Sequence, residues 1–120
     1  LLPAIRPYLR SVGMIDNIMH WLHNVVMKAE KLMHEKRVLR DGAIVEMVIW
    51  KLPEPVPASG HLFKYRLFFG RNGQRIVGFD NERGKGDHCH IDGKEQPYTF
   101  ISIDQLKNDF LAEVTRRLKP

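Results

Sequence analysis

The segment from His61 to Asp80 constrains the fold more than any other. Phe63, Tyr65, Leu67 and Phe69 alternate with Lys64 and Arg66. Strict alternation puts the apolar side chains on one face of a strand and the cations on the other. Asn72-Gly73 follows, the dipeptide suited to a two-residue hairpin turn because both central residues need positive φ. With that turn, Arg71 pairs with Gln74, Arg66 falls opposite Phe79, and Lys64 falls opposite Asn81. A one-residue bulge would shift this register. The chain must therefore contain antiparallel sheet with one apolar face, and that face needs a cover.

The flanking segments supply the remaining elements. Ile18, Leu22, Val25, Ala29 and Leu32 recur at helical spacing, with Met19, Val26 and Met33 beside them. They predict a helix from an Asp16 N-cap to about Arg37. His20 and His23 share a flank of it, read as solvated rather than metal-binding. Ala43 to Leu52 is dense in β-formers on both sides, as in a covered strand. Pro53, Pro55 and Pro57 remove three N–H donors and predict a stiff connector. Asp92-Gly93 marks a second turn, and Gln96 to Ile101 reads as a strand. Ser102 with Gln105 forms a capping box ahead of Ile103, Leu106, Phe110, Val114 and Leu118, one helical stripe. The expected fold is α+β: an antiparallel sheet of about four strands with N-terminal and C-terminal helices packed on one face.

Composition fits one soluble domain in 120 residues. The balance is basic, with Lys+Arg 19 against Asp+Glu 14, which suits a polyanionic partner such as RNA. Cys89 is the single cysteine, so no internal disulfide forms, and a reducing cytoplasm fits. No apolar run approaches the roughly 20 residues of a membrane span, and the N-terminal residues do not read as a signal peptide.

Chemistry concentrates between Asp80 and His90. The run Asp80-Asn81-Glu82-Arg83-Gly84-Lys85-Gly86-Asp87-His88-Cys89-His90 reads as a polar loop opened by glycines, then a short extended piece. Residues two apart on an extended chain share a side, so His88 and His90 should face one cleft, near Lys85 and Arg83. Three readings follow. In the first, the chain is a metal-independent ribonuclease with no cofactor. His88 and His90 act as acid and base, Lys85 and Arg66 stabilise phosphate, and Asp80 or Asp87 orients an imidazole. Lys64, Arg83 and Asn81 complete the substrate contacts. In the second, His88, His90 and Asp80 hold a metal ion. In the third, the residues only bind nucleic acid or protein. A plain solvated loop accounts for the composition too.

Several stretches together resemble the TumE toxin family of bacterial type II toxin–antitoxin systems. They are Asp41-Gly42-Ala43-Ile44-Val45-Glu46, Pro53-Glu54-Pro55-Val56-Pro57, Lys64-Tyr65-Arg66-Leu67, Phe79 to His90, and Pro97-Tyr98-Thr99-Phe100. The likeness runs from Met27 to the end. It implies a toxin domain over 27–120, an N-terminal extension over 1–26 that need not be native, and a helix-turn-helix antitoxin as partner. Cys89 stands where the family signature usually has arginine, which would weaken this copy if that arginine touched phosphate.

Overall fold

The computed structural model describes residues 28–82 and 84–118. Six strands form one antiparallel sheet in chain order: β1 (Glu30–Val38), β2 (Ile44–Lys51), β3 (Phe63–Arg71), β4 (Gln74–Glu82), β5 (Gly86–Ile91) and β6 (Lys94–Pro97). Among the described residues one helix, α1 (Ile103–Arg116), covers one face. The α+β class and the C-terminal helix are as expected. The strand number is not, and Glu30–Val38 is strand where the N-terminal helix is expected to end.

The predicted helix through Arg37 is corrected over its last third, since Glu30–Val38 is an edge strand paired with β2 along its whole length. Past Met33 the apolar spacing lapses until Val38, so nothing local sustains a helix. β2, already paired with β3, gains hydrogen bonds along its other edge. The new edge is blunted by Glu30, Lys31, Glu35, Lys36 and Arg37, charges that discourage further strand addition. The part of that helix assigned to 16–27, and the whole extension 1–26, lie outside the described residues.

The polar loop of 80–90 is a hairpin instead. Gly84 and Gly86 take φ of 87° and 75°, and Lys85 N–H donates to the Glu82 carbonyl at 3.1 Å. The strand expected over 96–101 stops at Pro97 and begins earlier, at Lys94. Pro97 has no N–H to extend the ladder. Asn72 and Gly73 both adopt positive φ, as do Asp92 and Gly93, and each pair closes a hairpin.

The β3–β4 register begins as expected, with Arg71 opposite Gln74, then slips at Phe69/Gly70. Arg66 faces Asp80, and Leu67 faces Phe79. One extra residue on β4 produces the slip. A Cβ on Gly70 would collide with the Gln74 backbone carbonyl and with the Phe68 ring. The bulge therefore depends on glycine for space, not for φ.

The core lies between sheet and helix. Met47, Ile49, Tyr65, Leu67, Phe69, Val77, Phe79 and Cys89 pack beneath Leu106, Phe110 and Val114. Phe79 meets the edge of Phe110 with centroids 6.0 Å apart. Ser102 caps the helix, its hydroxyl accepting from Gln105 N–H at 3.1 Å. The Gln105 side chain turns forward to Asp109, so the box is half made. The proline connector folds back as a strap. Leu52 and Val56 N–H groups donate to the carbonyls of Leu62 and His61, and both side chains are buried.

Gly70→Ala should cost about 1–3 kcal/mol, the range for forcing atoms into a filled site. Urea unfolding against the native chain measures it.

Candidate active site

The pleat of β5 separates its polar residues. Asp80 pairs with His88, and Gly78 with His90, so these four share the face away from α1. Arg66, opposite Asp80, joins them. The imidazoles of His88 and His90 stand edge to face with centroids 5.2 Å apart. The two rings share one face, as expected, but His88 is buried there and lines a hollow with Lys85 and Glu95.

His88 is nearly buried, while His90 is partly exposed. His88 Nδ1 lies 3.1 Å from the Gly86 carbonyl, which can only accept, so Nδ1 carries a proton. Its Nε2 sits 2.5 Å from Asp80 Oδ1, and Glu95 Oε1 is 3.8 Å away. The Asp80 contact is close but misaligned for a hydrogen bond. Asp80 Oδ1 is consequently buried without a hydrogen-bonded partner. Burial pushes the His90 pKa below the ordinary value, and the nearby Arg75 guanidinium adds to the effect. A neutral His90 keeps a lone pair available.

Beside the histidines is an open cleft of ≈ 180 Å³ between Arg66, Phe68, Arg75, Gly78 and Asp80. Arg66 lies over the Phe68 ring at 5.5 Å and is only loosely paired with Glu46, at 3.8 Å. Arg75 lies across Gly78, where a Cβ would come within 2.6 Å of its Cδ. Sequence reasoning missed Arg75 and Gly78. Their roles arise from the bulge, which no local pattern announces.

The other predicted residues fall elsewhere. Asp87 faces the helix side and belongs to a separate polar cluster. His61 Nε2 lies 2.7 Å from its Oδ2, and Tyr65 hydroxyl donates to the same oxygen at 2.6 Å. His61 Nδ1 accepts from Phe63 N–H at 3.1 Å, and the ring stacks on Phe100 at 3.9 Å. Burial alone would raise the Asp87 pKa, but the hydrogen bonds from His61, Tyr65 and Ser59 outweigh it and hold it low. Burial and the same carboxylate push the Tyr65 pKa up.

Asn81 is fully buried, its amide bracing the strands: Oδ1 accepts from Tyr65 N–H and Nδ2 donates to the Phe63 carbonyl. Lys64 is buried, with its ammonium donating to the Asn81 carbonyl, and burial lowers its pKa to about 8. Lys85 is exposed at the sheet margin and lines a different hollow with His88, Glu95 and Pro97. Arg83 lies outside the described residues. Position 89 faces the core, where burial raises the Cys89 thiol pKa. Cysteine there removes no cation from the cleft.

Asp80, His88 and His90 each offer a donor atom within 4.8 Å of the others. The open face thus combines proton-transfer groups, two exposed guanidinium groups and room for a phosphate.

The family model described as Toxin TumE matches residues 21–118. No curated protein and no solved structure matches the chain.

Asp87→Asn should cost on the order of 2–3 kcal/mol at neutral pH, as for hydrogen bonds to a charged group. The folded pKa of Asp87 is depressed, so its contribution is present above the unfolded value and lost as pH falls through the folded one. The gap in urea midpoint between native and variant should narrow below about pH 4.

Proposed function

The chain belongs to the TumE toxin family, and from that premise we propose that it stops growth by cutting RNA at the open sheet face. The observation that carries this reading is the cluster of His88, His90 and Asp80, the last of which lines a cleft with Arg66 and Arg75.

The RNA supplies its own nucleophile. His90 takes the proton of a 2′-hydroxyl as that oxygen bonds to phosphorus. The bond from phosphorus to the 5′-oxygen breaks, and the leaving oxygen takes a proton from His88 Nε2. Asp80 steadies the charged form of His88, and the Gly86 carbonyl fixes the ring. Arg66 and Arg75 meet the negative charge that builds on the phosphorane oxygens. Products are a 2′,3′-cyclic phosphate and a 5′-hydroxyl. No metal ion takes part in this scheme. Lys85, at the sheet margin, extends the basic track for the strand beyond the cut.

A type II toxin of this kind works in the cytoplasm and is restrained by a helix-turn-helix antitoxin. Among the described residues, no helix is long and apolar enough to cross a membrane.

Inducing the protein in a bacterium should arrest growth and create RNA ends bearing 2′,3′-cyclic phosphate. His90→Ala should slow cleavage by about 10²–10⁴, the usual contribution of a positioned acid or base, while RNA binding persists. Loss of toxicity strictly in proportion to binding would favour a non-catalytic module. Ends carrying 5′-phosphate would favour water attack at a metal. Gly78→Ala tests the cleft separately. It should displace Arg75 and cut the rate about tenfold, at under about 1.5 kcal/mol of stability, since a flexible side chain can yield.

A further inference from the structure

We propose that Asp80, His88 and His90 bind a divalent transition-metal ion of the zinc class, with the remaining coordination position open to the Arg66–Arg75 cleft. Two imidazoles and a carboxylate are a donor set that such an ion takes, and three protein donors leave a place for water or an inhibitor.

Three observations point to an ion. First, the donor atoms already lie within 4.8 Å of one another. A tetrahedral ion at about 2.0–2.2 Å from each donor sets them about 3.4 Å apart. Small side-chain rotations on fixed strands reach that spacing. Second, His88 Nδ1 is committed to the Gly86 carbonyl at 3.1 Å. That partner fixes the tautomer whose Nε2 lone pair faces the cluster, as in histidines that ligate metals. Third, Asp80 Oδ1 is buried with no hydrogen-bonded partner, although His88 Nε2 stands 2.5 Å from it. A cation bound by Asp80 Oδ1, with the pair opened to ligand spacing, gives that oxygen a partner. Glu95, opposite His90 and 3.8 Å from His88 Nε2, adds negative charge that offsets the arginines.

The site stands on this geometry alone; its consequence rests on the RNA-cleaving reading above. An ion on these donors takes the lone pairs that the proton transfers need. Zinc therefore inhibits the toxin and is displaced by a chelator to restore cleavage.

Calorimetric titration of the full chain with zinc should give one site. Asp80→Asn and His90→Ala should each weaken it at least tenfold. His34→Ala, on the exposed edge strand, and a His20→Ala/His23→Ala double variant should leave it unchanged. For variants that fail to fold, the native chain provides the second test. Substoichiometric cobalt should broaden the ring-proton resonances of His88 and His90 before those of His34 and His61. Absence of binding, or first broadening at other histidines, overturns the site while leaving metal-free cleavage intact. Cleavage that requires zinc and stops with EDTA overturns the inhibitory role and the metal-free mechanism, but not the site.

Discussion

Two-residue alternation along β5 governs how this small protein divides its polar groups. Asp87 and Cys89 project towards the helix, while His88 and His90 project to the opposite face. The inward carboxylate is tied to His61 and Tyr65 at 2.7 and 2.6 Å. The outward rings meet Asp80, which lines the arginine cleft. A slip of one residue would bury an imidazole against Leu106 and Phe110 and strand Asp87 from its partners. The Asp87 cluster thus enforces the register that presents the histidines. The hydrogen-bonded carboxylate on one face and the paired imidazoles on the other come from the same six residues.

The opposite side of the site depends on a defect in the sheet. The extra β4 residue at the bulge changes which side chain faces Arg66. Without the slip, Phe79 would stand there, and Asp80 would face the core. With it, Asp80 reaches His88, and Arg75 lies over Gly78. Two glycines with ordinary φ make this arrangement: Gly70 admits the Gln74 carbonyl, and Gly78 admits the Arg75 stem. Both are needed because a methyl group would occupy the space, a reason distinct from backbone freedom.

Sequence reasoning read what local chemistry dictates. The Asn72-Gly73 turn, the alternation in β3, the β-rich run of β2, the Ser102 cap and the stripe of α1 each carry their signal within a few residues. So does the pairing of His88 with His90 on one side. What it missed depends on contacts distant in sequence. β1 is a strand because β2 offers a free edge, and its own residues carry no strand period. Lys64 alternates like a surface cation but lies buried, its ammonium drawn to the Asn81 carbonyl. His61 reads as a loop histidine until the strap folds back and sets it 26 residues from its partner Asp87. Arg75 entered the cleft only through a register shift that pattern reasoning could name as a hazard but not locate.

The Asp80–His88 pair also bears on why such a cluster persists. A buried carboxylate oxygen without a hydrogen bond is a cost to stability. An apolar pair at these positions would pack against Arg66 and Phe68 without that cost. The Asp87 cluster is different, since its carboxylate is hydrogen-bonded by His61 and Tyr65. Asp80 Oδ1 has no aligned donor, and the Gly86 carbonyl holds His88 in one tautomer. Under the proposed reading, that unsatisfied acceptor is where a proton, an ion or a phosphate ester would be met. The two arginines select for the last, and the three donors for the second.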